Sequence, residues 1–359
     1  MLCCLPNAAA FAGNAAKVVL LPEVTAAVET DTVDTLEDVA DDPAIWVHPD
    51  RAEGSLILGT DKRFGLRVYR LDGEEIQALP IGRLNNVDLI QDVTLADWSG
   101  DLAAATNRSE DSVVLFSITE AGARELGRFS TAPEPYGFCM GLDGDAVTLF
   151  VAHKQGFVQP FVLTALEELP LIRPPLFFDS QIEGCVFDPF GARLFVGEEE
   201  KGIWSVPYQD GVFDGAAKRL IDRTGPGRAL TADVEGLTLY QNDKGQGLLI
   251  ASSQGSDMFV MYSLTVPDLP IVTAFRIVAD PFTGIDGAQE TDGLAATPVP
   301  LGARFPDGAL VVQDGFNVGE DLSRDGRTET DKPLAPQNFK IVDFRAIDRA
   351  LRGEQQDRP

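Results

Sequence analysis

Several residue types that commonly build active sites are scarce in this chain of 359 residues. Only two histidines occur, which excludes a His-rich zinc site and leaves few candidates for a Ser-His-Asp mechanism. The four cysteines are Cys3, Cys4, Cys139 and Cys185. They are too few and too scattered to indicate a disulfide framework, and no C-x-x-C spacing indicates a zinc or redox site. We expect Cys139 and Cys185 to be buried thiols.

Long apolar runs and basic residues are also scarce. No run of 18 apolar residues occurs, so we predict no membrane partner. Lys and Arg total 29 against 56 Asp and Glu, and the formal charge of −27 repels nucleic acid and attracts cations. An acidic surface that serves only solubility is the alternative. We interpret residues 1–25 as an N-terminal tail or a degenerate signal segment, which points to a secreted or periplasmic protein.

A long-range repeat organises most of the chain. One pattern occurs in four copies: a polar residue, a glycine, an apolar strand, a turn and a second apolar strand. The glycines that mark the copies are 47, 52 and 57 residues apart, at Gly137, Gly184, Gly236 and Gly293. Two looser copies precede them. The copies are rich in Val, Ile, Leu, Phe and Tyr, and no long helical periodicity separates them. The sequence therefore predicts an all-β protein, a six-bladed β-propeller.

The predicted propeller is one domain over residues 26–352, followed by a C-terminal tail at 353–359. The segment "VDFRAIDRALRG" has helical apolar spacing, so we expect a helix there. Glu320–Pro336 is charged and poor in apolar residues, which predicts a long surface loop. We expect the chain to be a monomer.

Acidic residues recur at equivalent positions of the repeat, and such positions form a ring around a propeller channel. If each inner strand starts at its marker, the ring comprises Asp42, Asp88, Tyr136, Glu183, Glu235 and Asp292. A ring of carboxylates in a partly desolvated cleft needs compensation, and hard divalent cations take oxygen ligands. Calcium fits this pattern best.

Cationic residues recur one strand further along the repeat, at Lys62, Arg108 and Lys154. Cations beside an acidic, metal-binding mouth suit a polyanion that metal ions bridge, because Lys and Arg bind phosphate oxygens directly. The alternative is that each is a turn residue on a solvated blade edge.

The motifs "DDPAIWV", "GRLNNVDL", "ATNRSED", "DVEGLTLY", "ASSQGS" and "QNFKIV", in this order between Glu29 and Phe344, resemble the β-propeller phytases, the alkaline phytases of 3-phytase type. The resemblance implies a calcium-dependent enzyme with several ions, catalytic and structural. It would release phosphate from calcium phytate (myo-inositol hexakisphosphate) and from lower inositol phosphates at neutral to alkaline pH.

The resemblance also implies roles for particular residues. The ligands of catalytic calcium would be Glu29, Asp41, Glu183, Glu199, Asp233, Glu235 and Asp286. Structural calcium would lie near Asp38, Asp42, the Asn86–Val87 backbone, Asp292 and Asp314. The phosphate being cleaved would be held by Lys62, Arg108 and Tyr136, and a neighbouring phosphate by Lys154.

The mechanism that these residues suggest is direct attack by a calcium-bound water, because no histidine, serine or cysteine is a plausible nucleophile. Lys62 and Arg108 would stabilise the phosphoryl charge, and Glu29 could position the water. Two alternatives remain open at this point. One is another calcium-dependent hydrolase, such as a lactonase, on the same scaffold. The other is a non-catalytic binding propeller that calcium only stabilises.

Overall fold

The computed structural model describes residues 21–33, 35, 38–317 and 335–352 of the chain. Its strands form six sheets, each of four or five strands. The innermost strands lie against one another in sequence, and the sixth returns to the first, so the sheets are blades around a central channel. The predicted six-bladed β-propeller is therefore confirmed.

Blades 1 to 3 follow one another along the chain. From the channel outward, blade 1 consists of Ala40–Trp46, Leu56–Asp61, Gly65–Arg70 and Glu75–Leu79. Blade 2 consists of Leu84–Thr94, Ser99–Asn107, Ser112–Thr119 and Gly122–Ser130. Blade 3 consists of Pro135–Asp143, Ala146–His153, Phe157–Leu163 and the short strands Leu171–Ile172 and Leu176–Phe177.

Blades 4 to 6 complete the ring. Blade 4 consists of Ile182–Asp188, Arg193–Glu198, Gly202–Gln209 and the outer strands Val212–Phe213 and Arg219–Arg223. Blade 5 consists of Val234–Gln241, Gly247–Ser253, Met258–Ser263, Ile271–Ile277 and Glu23–Val24. Blade 6 consists of Leu294–Thr297, Ala309–Asp314, Asn338–Asp343 and Val28–Glu29.

The ring is closed by strands from opposite ends of the described chain. Val28–Glu29 pairs antiparallel with Asn338–Asp343, so that Glu29 lies opposite Lys340. Glu23–Val24 pairs in parallel with Ile271–Ile277 at the outer edge of blade 5. Val28–Glu29 thus supplies the outermost strand of blade 6 and covers part of the edge of Asn338–Asp343.

The hydrophobic core is divided among the junctions between blades. The buried apolar residues group into six clusters, each filled from the facing sheets of two neighbouring blades. Trp46 of blade 1, for example, packs in one cluster with Phe116 of blade 2. Because strand residues alternate between two faces, apolar residues on both faces let each blade pack against its two neighbours.

The predicted C-terminal helix is present as α1, Phe344–Leu351. Its N-cap is Asp343, whose side chain accepts a hydrogen bond from the Arg345 backbone N–H. Phe344, Ala346 and Ile347 face the protein, and the Phe344 ring stacks on Tyr240 of blade 5. Among the described residues, three single-turn 3₁₀ helices occur, at Ala52–Gly54, Gly215–Ala217 and Gln254–Ser256.

No helix in the described ranges has the length and apolar character needed to cross a membrane. Residues 1–20 and 353–359, which belong to the predicted tails, lie outside the described residues. The same holds for most of the predicted loop Glu320–Pro336, of which 335 and 336 are described.

The prediction of free buried thiols at Cys139 and Cys185 is wrong. The two cysteines form a disulfide between the inner strands of blades 3 and 4, with their Cα atoms 5.6 Å apart. Their separation of 46 residues corresponds to one blade of the repeat. Equivalent residues of consecutive blades become spatial neighbours, which is why cysteines far apart in sequence can be bonded.

Candidate active site

The residues at the channel mouth are presented by irregularities in the inner strands. In each of blades 1 to 5, a register shift leaves two residues of the inner strand unpaired near its start. These pairs are Asp41–Asp42, Asn85–Asn86, Tyr136–Gly137, Glu183–Gly184 and Glu235–Gly236. Bulges of this kind bend a strand and redirect its side chains, and they are common beside active sites.

The first residue of each pair contributes to the mouth, whereas the second meets the neighbouring blade. The Asn85 side chain donates to Glu183 Oε1 across the mouth, at 2.7 Å. A Cβ atom added to Gly137 would lie 1.9 Å from the carbonyl oxygen of Glu183, so only glycine fits there. Asp42, also a second residue, accepts from the Val87 backbone N–H at 3.1 Å.

The predicted acidic ring is therefore wrong in two blades. The mouth positions of blades 1 and 2 are Asp41 and Asn85, not Asp42 and Asp88. Asp88 lies further along its strand, where its carboxylate accepts from the backbone N–H of Leu89 and Met140. It lines a cavity of about 770 Å³ at the opposite end of the channel. The glycine markers could not show this, because the bulges of blades 1 and 2 have Asp42 and Asn86 where blades 3 to 5 have the marker glycine.

Three buried glutamates, Glu183, Glu199 and Glu235, form the acidic triad of the mouth. Each offers an oxygen atom within 4.8 Å of the others. Burial raises the pKa of Glu199 to about 7, and the charge of Glu183 adds to the shift. Burial, followed by Glu183, raises the pKa of Glu235 well above its usual range. Oε2 of Glu235 is buried without a hydrogen bond, so the triad has unsatisfied acceptor capacity that a cation would fill.

Asp233 lies beside this triad. It precedes Glu235 in the loop that enters blade 5, after a cis Ala232–Asp233 peptide bond. Its backbone carbonyl accepts from the Gln254 N–H at 3.0 Å, and its charge contributes to the raised pKa of Glu199. The predicted ligands Glu183, Glu199, Asp233 and Glu235 are thus brought together on blades 4 and 5.

A second group of carboxylates surrounds Lys62. The Lys62 ammonium lies 2.6 Å from Asp292, 3.1 Å from Asp38 and 3.8 Å from Asp41. Asp41 is fully buried, and neither of its carboxylate oxygens accepts a hydrogen bond. Burial raises the pKa of Asp41 well above its usual value, and the charge of Lys62 opposes that shift. Lys62, expected to hold phosphate, is therefore paired with carboxylates.

A third group surrounds Lys340, a residue that the sequence reasoning missed. Its fully buried ammonium lies 2.6 Å from Glu29 and 3.2 Å from Asp314, and it also pairs with Asp286. Burial raises the pKa of Asp314 to about 7, against the opposing charge of Lys340. The signal in the sequence was a lysine within the otherwise apolar strand segment "NFKIV".

The cationic residues of the mouth lie on blades 1 to 3. Lys62, Arg108 and Lys154 each follow the last residue of the second strand of their blade. Arg108 and Lys154 flank Tyr136: the Arg108 Cζ atom lies 5.2 Å, and the Lys154 Nζ atom 4.2 Å, from the centre of its ring. The same strand position in blade 4 carries Glu199. The mouth therefore has a cationic half on blades 2 and 3, formed by Arg108 and Lys154, and an acidic half on blades 4 and 5, whereas Lys62 of blade 1 is paired with carboxylates.

Asp42, Asn86 and Val87 were predicted to lie near a structural calcium ion. They line a small cavity of about 50 Å³ within the channel. Burial raises the pKa of Asp42 well above its usual value, and the hydrogen bond from Val87 opposes the shift. The three residues are thus adjacent, inside the channel below the acidic triad.

The pKa shifts predict how stability changes with pH. Glu199 and Asp292 have pKa values of about 7 and about 6, against ordinary values of 4.5 and 3.8. The folded state therefore holds protons that the unfolded chain releases, and this contribution to stability is lost as pH rises through the folded pKa values. With a chelator present, we expect the melting temperature to fall between about pH 5 and about pH 8.

The measurement is a series of thermal melts across that pH window with excess chelator. Glu199→Gln is the matched control, because it removes one of the titrating groups, and its melting temperature should fall less with pH. A chelated wild-type protein whose melting temperature rises across the window would contradict the prediction.

Two sequence comparisons with known proteins agree with the resemblance seen in the sequence. A sequence model of the phytase family matches residues 2–140 and 174–358. A 3-phytase from Bacillus subtilis (strain 168) is 35% identical over 356 residues, which cover 93% of this chain and 87% of that protein. Among solved structures, the apo-form of the soluble aldose sugar dehydrogenase from Escherichia coli aligns with a TM-score of 0.48 and 14% identity, covering 87% of this chain and 99% of that chain.

The two sequence matches cover nearly the whole propeller. The two ranges that match the family model include every residue of the acidic triad and of the Lys62 and Lys340 groups. Lys154 lies in the stretch between the two ranges, which the model does not match. A match of this extent, together with a relative at 35% identity over most of both chains, shows the family. The chain belongs to the phytase family of enzymes.

Proposed function

We propose that this phytase is calcium-dependent and hydrolyses phytate at the channel mouth. The observation that carries the proposal is the division of the mouth into the acidic triad on one side and Arg108 and Lys154, flanking Tyr136, on the other. The acidic half suits hard cations, and the cationic half suits phosphate oxygens. A substrate that carries both phosphates and chelated calcium complements both halves.

The residues fit calcium by their donor set. All the candidate side-chain ligands are carboxylates, the ligand type that calcium prefers, and no histidine or cysteine lies in the triad. Glu235 Oε2 and both Asp41 oxygens are buried acceptors without a hydrogen bond, which is costly unless a cation satisfies them. Glu183, Glu199, Asp233 and Glu235 would hold the ions of the acidic half.

The roles of the individual residues follow from their positions. Calcium, when bound, neutralises phosphoryl oxygens and lowers the pKa of water. Arg108 donates to Asn85 and retains further N–H groups for a phosphate, while Lys154 offers an ammonium on the other side of the Tyr136 ring. These side chains would orient the phosphate against the carboxylates, which is the positioning that phosphoryl transfer requires.

The Lys62 and Lys340 groups differ from the triad in already containing a cation. The ammonium groups compensate Asp38, Asp41 and Asp292 in one group, and Glu29, Asp286 and Asp314 in the other. We propose that calcium occupies the triad first. Among the described residues, no lysine or arginine side chain forms an ion pair with the triad carboxylates, unlike those of the Lys62 and Lys340 groups. Calcium binding by the other two groups would have to displace or share an ammonium.

The substrates, the oligomeric state and the cellular location can be proposed from the composition and the disulfide. We propose calcium phytate and lower inositol phosphates as substrates of a monomer that binds neither nucleic acid nor membranes. The net charge of −27 supports the first exclusion, since it repels a nucleic acid backbone. The Cys139–Cys185 disulfide supports a secreted or periplasmic location, because structural disulfides persist in oxidising compartments.

The test is phosphate release from calcium phytate by the purified protein at about pH 7–8, with and without excess chelator. We expect release to stop on chelation and to return when calcium is restored, with a lower melting temperature in chelator. Magnesium added in place of calcium is the control for general charge screening. Release that continues in full after chelation would contradict calcium dependence, and a calcium-dependent melt without any release would favour a binding propeller instead.

A further inference from the structure

The inner strands of blades 3 and 4 are joined differently from the others. The Cys139–Cys185 disulfide links them inside the protein, where both residues are buried. Hydrogen bonds link the inner strands at other junctions. Between blades 1 and 2, the Val87 N–H donates to Asp42. Between blades 5 and 6, the Gly236 N–H of blade 5 donates to the carbonyl of Asp292, which lies in the loop that enters blade 6. Within the described ranges, this is the one junction with a covalent bond.

The disulfide lies beside a close backbone contact at the mouth. Gly137 lies against the carbonyl oxygen of Glu183, where even a Cβ would not fit. Cys139 lies two residues after Gly137, and Cys185 lies two residues after Glu183, so both cysteines stand where regular pairing with the second strand has resumed. The disulfide therefore lies directly behind the pair of bulges that carry Tyr136 and Glu183.

These two bulges depend on neighbouring contacts for their position. Neither Tyr136–Gly137 nor Glu183–Gly184 is paired in register with the second strand of its own blade. Paired strands resume at Phe138 and Cys185. Blade 2 holds both residues, through Thr106, whose hydroxyl donates to the Tyr136 carbonyl at 2.6 Å, and through Asn85, which donates to Glu183. The direct contact between the two bulges is the one across the junction of blades 3 and 4, and the disulfide fixes that junction covalently.

The junction between blades 3 and 4 is also a boundary between the two halves of the mouth. Tyr136, with Arg108 and Lys154, belongs to the cationic half, and Glu183 belongs to the acidic triad. We propose that the Cys139–Cys185 disulfide is a positioning element, which holds the phosphate-binding half of the mouth in alignment with the cation-binding half. This inference rests on the roles proposed above for Tyr136 and Glu183.

The test is the double variant Cys139→Ser/Cys185→Ser, assayed well below its melting temperature. We expect the KM for phytate and the calcium concentration for half-maximal activity each to rise about three- to tenfold, because small misplacements of binding groups are costly. The melting temperature should also fall. If the melting temperature falls while both other quantities stay within about twofold of the wild type, the disulfide only stabilises the fold and the proposal is overturned.

Reduction of the wild-type protein gives an independent comparison if the double variant does not fold. Dithiothreitol transfers two electrons and two protons to the disulfide, which becomes two thiols, and the reagent closes to a cyclic disulfide. A thiol count that rises by two identifies the reduced form. Its KM and calcium requirement should rise in the same way and return on reoxidation; unchanged values in the reduced form would overturn the proposal.

Tyr136→Phe and Glu183→Gln separate this inference from the proposed function. If both variants keep the wild-type KM and calcium requirement, the proposed roles are wrong and the inference fails with them. If these variants are impaired while the double serine variant is not, the inference alone fails. An impaired double serine variant, with both single variants impaired as well, supports the inference.

Discussion

Replacing Glu235 by glutamine is expected to lower phytate turnover by about 10²–10³-fold, the usual effect of removing one group that stabilises charge in a transition state. Glu235 belongs to the acidic triad, and its Oε2 atom is buried with no hydrogen-bond donor beside it. Glutamine has nearly the same shape but no charge, so it can hold a cation only weakly. The measurement is the initial rate of phosphate release at saturating calcium and phytate.

The fold should survive this change. Burial raises the pKa of Glu235, so the charged form is costly in the protein without metal, and glutamine removes that cost. In chelator, the variant should melt at the wild-type temperature or above it. Asp88→Asn is the matched control, since Asp88 is a channel carboxylate away from the mouth, and it should retain activity. A Glu235→Gln variant with wild-type turnover would refute the assignment of the triad.

Replacing Lys340 by methionine is expected to cost about 3–5 kcal/mol of unfolding free energy, because it leaves buried carboxylates without their cation. The Lys340 ammonium is fully buried and contacts Glu29, Asp286 and Asp314. Methionine fills similar volume without a charge. The measurement is chemical denaturation in chelator at about pH 8, above the pKa of about 7 that Asp314 has beside Lys340 in the wild type.

The matched control is an ion pair at the surface. Arg70 pairs with Glu74, both side chains being more than half exposed, and Arg70→Met should change the free energy of unfolding by less than about 1 kcal/mol. Calcium added to the Lys340→Met variant should recover part of the loss, since the freed carboxylates can then bind it. A loss below about 1 kcal/mol in chelator would show that Lys340 does not compensate these carboxylates.

The blade architecture was predictable from the sequence because the repeat consists of features that are local in the chain. Glycine markers, apolar strands and turn residues recur at a blade's length, and helix α1 follows a helical pattern. The position of the mouth was predictable for Tyr136, Glu183 and Glu235, where the marker glycine directly follows the site residue. Blades 1 and 2 have Asp42 and Asn86 in place of that glycine, which is why the ring was misplaced there.

The charge pairing was not predictable, because it depends on residues distant in sequence. Lys340 meets a carboxylate from residue 29, and Lys62 meets one from residue 292. Strand patterns indicate which residues are buried, but they do not indicate which buried groups face each other across a channel. The Cys139–Cys185 disulfide is an intermediate case: its spacing of one blade was visible, and it becomes informative once equivalent positions of adjacent blades are known to touch.

The closure of the ring has a consequence for how the enzyme is made. Glu29 reaches the Lys340 group only when Val28–Glu29 pairs with Asn338–Asp343, the third strand of the last blade. During synthesis, the early blades are exposed for as long as the ribosome needs to complete the last one, and Glu29 has no partner until then. Pairing across such long sequence separations is slow. The mouth is therefore completed in one late step, and a nascent chain does not acquire its full set of charged groups blade by blade.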